Sequence, residues 1–317
     1  MNWAKLAEEA LTGFDLSALP PTVELPALPH AVTLFVRRSR DEAVPLPELA
    51  QILETDSALT IELLKYVNSS ANGLRNKATT VLQAITLLGC ARCRLFVIAT
   101  GMGAAVRSQC SKLIDQTAFW SDTLQKAIFS REIALLLRTD PDVAFVGGLL
   151  QDFLLPFLTN SLSDDYRQFL ESPATPPAML SKFEETQFGW DHALAGACLA
   201  QGWGLPGELV CCILYHHGGL QLLTDPRLGR TPVAASALSA LLPDQFSQDD
   251  HGFELLTKLE QKWPAFHLES LAESVDRQHQ EMGLGVRHDS TLLQWCKKLG
   301  QGASDSPTRP LEAAATN

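Results

Sequence analysis

Gly147-Gly148-Leu149-Leu150-Gln151-Asp152-Phe153-Leu154 is the stretch on which the reading of this chain turns. It has the character of a buried helix that carries two polar residues side by side among apolar ones. A Gln–Asp pair set in that much Leu and Phe is costly unless something hydrogen-bonds it. Its surroundings are of the same kind. Helical periodicity runs over 118–137 and stops at Thr139-Asp140-Pro141, and a further helix is predicted over 142–159, straight through the pair.

The same period recurs along the chain. An amphipathic helix over 3–12 is followed by Leu19–Pro29, whose prolines forbid a helix and predict an extended strap. Helices are expected from Pro29 to Val36, at 48–54, and after Asp56, which caps the next. Thr80-Val81-Leu82-Gln83 carries a capping-box pattern and opens another, and 91–107 continues. Beyond the Gln–Asp pair, helices are predicted at 163–171, 177–186, 191–202 and 206–217, then at Val233–Leu242, Leu268–Gln278 and Thr291–Leu299. Almost nothing alternates with period two. The fold class is all-α, an irregular multi-helix bundle.

Composition sets the outer limits. The chain has 317 residues, 46% hydrophobic and 19% charged, which suits a folded globular protein and excludes wholesale disorder. A net charge of -11 (25 basic against 36 acidic residues) argues against nucleic acid as the main partner, since phosphate binding wants a basic face. The dense basic cluster Arg37-Arg38-Ser39-Arg40 has the character of a solvated helix end. No apolar run reaches the roughly 18–20 residues that span a bilayer, and Met1-Asn2-Trp3-Ala4-Lys5 lacks a signal-peptide pattern, so no membrane contact and a cytoplasmic location are expected. Seven cysteines in apolar runs, Cys211 and Cys212 adjacent, fit a reducing compartment. Cys90-Ala91-Arg92-Cys93 resembles a metal or redox clip. With no second pair at zinc-finger spacing, it is better described as two thiols on a helix.

Two blocks carry a family resemblance. The first comprises Leu25-Pro26-Ala27-Leu28-Pro29, Leu49–Asp56, Leu63–Ser69 and Ala84–Gly89. The second comprises Phe119-Trp120, Gly148–Asp152, Phe188–Ala193, Trp203–Pro206 and Tyr215-His216-His217. Together they resemble the HDOD domain, a bacterial signalling module related to HD-type phosphohydrolases. The resemblance implies an HD-domain-like core behind an N-terminal helical subdomain. On that basis the expected divisions are a lead-in over 1–19, an HDOD domain over 20–245 (split near 112), C-terminal helices over 246–300 and a disordered tail over 301–317.

In catalytic HD enzymes, a His–Asp doublet and further histidines hold one or two metal ions that activate water against a phosphate ester. By that resemblance the doublet falls on Gln151 and Asp152, the early histidine on Asp122, and the later histidines on His192, His216 and His217. Gln151 is the decisive departure, because a neutral amide is a weak metal ligand. The implied protein is not an enzyme and has no cofactor, with these six residues lining a vestigial site. Were a divalent ion held, its ligands would come from Asp122, Asp152, His192, His216 and His217. His216 and His217 also suit a helix C-terminus, and successive helix residues point about 100° apart, so one ion would rarely collect both. His192, one turn before Gly196, is read as a hydrogen-bonded core histidine.

The leading expectation is a non-catalytic regulator that acts on signalling proteins, with a second copy of the chain as a further candidate partner. The alternatives are a metal-dependent phosphohydrolase of HD type acting on a nucleotide or cyclic dinucleotide, and a sensor that binds a small ligand in the old active-site pocket.

Overall fold

The computed structural model describes residues 1–68, 77–107, 111–171, 179–246, 248–249, 251–282 and 291–300. Its elements are helices throughout. In chain order they are α1 (Trp3–Leu11), α2 (His30–Arg38), α3 (Leu46–Glu54), α4 (Ser57–Val67), α5 (Val81–Leu88), α6 (Cys90–Arg107), α7 (Gln116–Leu137), α8 (Pro141–Leu150) and α9 (Leu155–Ser161). There follow α10 (Ser163–Glu171), α11 (Leu180–Phe188), α12 (His192–Gly202), α13 (Gly207–Leu214), α14 (Pro232–Ser239), α15 (Gly252–Glu260), α16 (Leu268–Met282) and α17 (Leu292–Gly300). Short 3-10 segments lie at Leu16–Ala18 and His216–Thr224. The all-α class stands. The expected tail, 301–317, lies outside the described residues, as does Ser69 of the first block.

The chain forms two compact units that do not follow the sequence in series. One comprises Pro26–Ser108 with Gly202–Leu205; the other takes Met1–Leu25, Gln109–Gln201 and Pro206–Asn317. The first helix is part of the larger unit, where α1 packs on α13, and the helices beyond 246 join that unit as well, with α16 packed on α7.

In the smaller unit, α3 packs on α2 and α5, and α4 on α5 and α6, around Val32, Phe35, Leu53, Leu63, Ile85 and Ile98. Gly89, at φ 79°, ends α5 and lets α6 leave at 116°. At and beyond the end of α2, Arg38 Nε donates to Glu48 at 2.9 Å, and Arg40 donates to the Gly204 carbonyl. Cys93 is buried, and desolvation pushes its thiol up to about 12, which leaves it inert.

In the larger unit α7 is the central helix, packed against α8, α14 and α16. Ile128, Phe129, Ile133, Leu238, Leu256, Phe266 and Val275 fill the core around it. The paired glycines of the opening stretch explain its tight packing. A Cβ on Gly147 would come within 2.7 Å of Cys212 Cβ, and one on Gly148 within 3.0 Å of the Lys126 carbonyl. Gly147 thus admits α13 and α14, and Gly148 admits α7.

The helix expected over 142–159 breaks at Gln151–Leu154. Pro156 has no N–H, and its ring would clash with the carbonyl four residues back, at Asp152. The backbone tightens instead to three-residue hydrogen bonds, with Phe153 N donating to Leu150 O and Leu155 N to Asp152 O. Pro141–Ser161 as a whole is long and apolar enough to cross a membrane, yet 83% of its most apolar window is buried inside the protein.

Gly147→Val should destabilise the chain by about 1–3 kcal/mol through overpacking, read as a lowered thermal midpoint. Gly202→Ala, where an added Cβ meets nothing within 4 Å, should leave the midpoint nearly unchanged.

Candidate active site and a convergent histidine cluster

The break between α8 and α9 buries both polar side chains: Gln151 is 1% exposed and Asp152 3%. Gln151 and one oxygen of Asp152 are hydrogen-bonded. Ser239 Oγ, on α14, donates to Gln151 Oε1 at 3.1 Å, and Gln151 Nε2 lies 3.3 Å from Asp152 Oδ2. The same Asp152 oxygen receives the buried ammonium of Lys126 at 2.8 Å. Lys126 also donates to Asp244 Oδ2 at 2.6 Å, so one cation holds two buried carboxylates. Burial opposes the charge on Lys126, but the two carboxylates outweigh it and drive its pKa above the ordinary lysine value. Asp152 is held well below the carboxylate range: burial pushes it up, and Lys126, with His192 and His216 beside it, more than reverses that.

The second oxygen of Asp152 faces the other way. Oδ1 is buried without a well-formed hydrogen bond and looks at His192 Nε2 and His216 Nε2, each 3.4 Å away. The two ring nitrogens lie 3.3 Å apart, and His217 Nε2 is 3.0 Å from that of His192. His192, His216 and His217 therefore do come together. The expectation that successive residues diverge was drawn from α-helical geometry, but α13 ends at Leu214 and His216 and His217 open the 3-10 segment after it. Their ring centroids are 3.9 Å apart.

Two of these rings are fixed by partners on their far side. His216 Nδ1 lies 2.6 Å from the Ile213 carbonyl, which can only accept. His192 Nδ1 lies 2.6 Å from Glu184 Oε2, on α11. Glu184 is itself fully buried. It also accepts the His192 backbone N–H at 2.9 Å and the Tyr166 hydroxyl at 2.6 Å. Both Nδ1 atoms thus carry protons, and both Nε2 atoms aim at the common point. This is the outer support that metal-ligating histidines use. Gly196, one turn beyond His192, lets Phe153 approach closely: a Cβ there would meet it at 3.3 Å.

Without an ion the cluster is stable in another form. Burial lowers the His192 pKa, but Glu184 and then Asp152 raise it to about 10, while burial and the neighbouring rings push His217 well down. A charged His192 then donates to His217, 3.0 Å away. The donor set nevertheless suits a borderline divalent ion. His192 Nε2 lies 3.0–3.4 Å from His216 Nε2, His217 Nε2 and the under-bonded Asp152 Oδ1, and His216 Nε2 is 3.4 Å from that oxygen; the three histidine donors all lie within 4.8 Å of one another. Four ligands about 2.0–2.1 Å from zinc would be spaced about 3.3 Å from one another.

Asp122 is not with them. It sits one turn before Lys126 on α7 and accepts the Gln245 backbone N–H at 2.9 Å. Desolvation, and then Asp244, raise its carboxyl to about 7. It lines a small cavity with Lys126, Asp152, Asp244 and Gln248. Of the five residues proposed to surround an ion, the structure brings together four and sets Asp122 apart. Lys126, Glu184, Tyr166 and Asp244 were not anticipated. The one sequence cue was a lysine four residues after Asp122 within an apolar helix.

Known proteins place this architecture. A structure of an HDOD domain protein of unknown function from Geobacter sulfurreducens aligns over 94% of both chains, at 21% identity and a TM-score of 0.55. A protein from Shewanella amazonensis SB2B bearing the name "Putative phosphohydrolase" aligns over 86% of this chain and 98% of its own, at 24% identity and a TM-score of 0.63. At such identities the likeness shows the fold. An uncharacterized protein of Treponema pallidum (strain Nichols) is 24% identical over 199 residues, and the match spans only 38% of that relative's length. The HDOD domain profile matches residues 25–218, from the Pro-rich strap through the histidine pair, and the chain belongs to the HDOD family.

Proposed function

We propose that this HDOD protein is a regulatory module that works through protein contacts and does not hydrolyse phosphate esters. The observation that carries this reading is the ammonium of Lys126. It lies between Asp152 and Asp244, 2.8 and 2.6 Å from their oxygens. A two-cation hydrolytic centre needs that place for an ion and its water, and here a tethered side chain neutralises both carboxylates. Gln151, in the place of the doublet's histidine, turns its amide to Ser239 and Asp152. The role left to His192, His216, His217 and Asp152 is to hold one divalent ion, with all four donors supplied by the chain. Closed sets of that kind are structural.

The second reading is a single-ion phosphohydrolase, favoured by the same histidine cluster. In it these four residues would hold the ion, which would supply an activated water, and Asp122, whose carboxyl is raised to about 7, would be the proton-carrying group. Elemental analysis beside hydrolysis assays on phosphomonoesters, cyclic dinucleotides and (p)ppGpp separates the two. The regulatory reading expects at most one ion per chain and no turnover. Turnover that disappears in Asp152→Asn overturns it.

Three further outcomes follow from the geometry. His192→Ala should abolish ion uptake in titration calorimetry, and chelation should lower the thermal midpoint of the wild type but not of this variant. Lys126→Met leaves two buried carboxylates unpaired and should destabilise the fold by about 3–5 kcal/mol in urea denaturation, with part of the loss recovered on adding Asp244→Asn. Asp122 has a folded pKa above its unfolded one. The folded state therefore keeps a proton that the unfolded state has lost between pH 4 and 7, and stability falls as pH rises through that window. Asp122→Asn should accordingly gain stability over wild type at pH 8 relative to pH 5.

A further inference from the structure

A groove of about 620 Å³ in the larger unit lies among residues that the histidine cluster does not use. Its apolar lining comes from Leu136 and Leu137 at the end of α7, Leu223 in the 3-10 segment, Leu259 in the last turn of α15 and Trp263 just beyond it. The Trp263 ring is stacked on buried Phe266, with centroids 5.7 Å apart and planes 19° apart, so it offers a fixed face. Gly229 closes one side, where a Cβ would come within 2.5 Å of the Leu223 carbonyl.

Two arginines, Arg138 and Arg230, stand in this lining with exposed side chains. In a chain with 36 acidic residues against 25 basic ones, neither has an ion pair or side-chain hydrogen bond among the described residues. Arg138 is also the one non-glycine at positive φ among the described residues, at φ 57° and ψ 44°. That position ends α7, where glycine is the common residue because its lack of a Cβ removes the penalty. A helix C-terminus favours a cation, but it does not account for the apolar groove beside the charge.

We infer that this groove docks an acidic segment of a partner protein, its carboxylates on Arg138 and Arg230 and an apolar side chain on Trp263 and the leucines. Tryptophan and arginine together are the residue types that dominate protein interfaces. The charges are complementary to an acidic peptide. Both guanidinium groups are exposed rather than buried, so no set of enclosed donors converges as a free phosphate or nucleotide would require. The inference names a partner class for the regulatory reading and rests on it.

Panning a random peptide phage library on the full chain tests the docking site. Selected peptides, labelled and measured by fluorescence anisotropy, are expected to pair Asp or Glu with Leu, Phe or Trp. Binding should weaken by about tenfold or more in Arg138→Gly/Arg230→Gln, and should weaken as salt rises from about 50 to about 300 mM. Glycine suits the left-handed backbone at 138, so that variant is expected to melt like wild type; Arg230→Gln alone provides a second measure. The inference is overturned by selections without acidic enrichment, by peptides that bind the double variant equally, or by nucleotides that displace the peptides. Parallel hydrolysis assays keep the two questions apart: turnover with acidic peptides still bound at the groove sinks the regulatory reading alone, and peptides that bind the double variant as tightly as wild type, without turnover, sink the groove alone.

Discussion

The ion triad of Lys126 with Asp152 and Asp244 is the constraint around which the larger unit is arranged. All three charged groups are almost wholly withdrawn from water. Separating them is expensive, because either a buried ammonium or two buried carboxylates would be left without a counter-charge. The triad ties the central helix α7 to the α8–α9 break and to the loop after α14. It also fixes which oxygen of Asp152 is spent. With Oδ2 committed to Lys126, only Oδ1 is left for the histidines. One buried lysine therefore sets the geometry of both halves of the cluster.

A second layer of support holds the histidines. Glu184 binds the ring and backbone of His192 and the hydroxyl of Tyr166, joining α10, α11 and α12 through one carboxylate. The Ile213 carbonyl does the same for His216 from within the last turn of α13. The rings are thus aimed by groups on their outer edges, and an ion would meet a site that is already shaped. Such preorganisation is as useful to a structural ion as to a catalytic one. The fate of the neighbouring cation position is what distinguishes the two readings.

Much of the fold was legible in the sequence. Helical periodicity, the caps at Asp56 and Thr80, and the Pro-rich strap marked most elements, and residues 163–171 were bounded as the structure has them. Asp152 and the later histidines were found through the family pattern. The rest depended on tertiary contacts that spacing does not report. Lys126 lies on a helix buried nearly all round, so no polar stripe marked its direction. Glu184 sits in Lys182-Phe183-Glu184-Glu185, which looks like a solvated charged turn, yet it is fully buried. The histidine pair was judged by α-helical geometry, although α13 had already ended at Leu214. Pro156 did carry a local signal for the helix break, and the strong apolar run on both sides obscured it.

The discontinuous course of the chain bears on synthesis. Helix α1 packs on α13, and Gly207 is pressed so closely against the Trp3 carbonyl that no side chain fits between them. Nearly two hundred residues separate these partners, the whole smaller unit among them. On the ribosome, the apolar face of α1, with Leu6, Ala7 and Leu11, is made long before its docking surface exists. Helix α1 is thus made well before it can dock, and until then its sticky face needs the shelter of a chaperone or of transient contacts within the nascent chain.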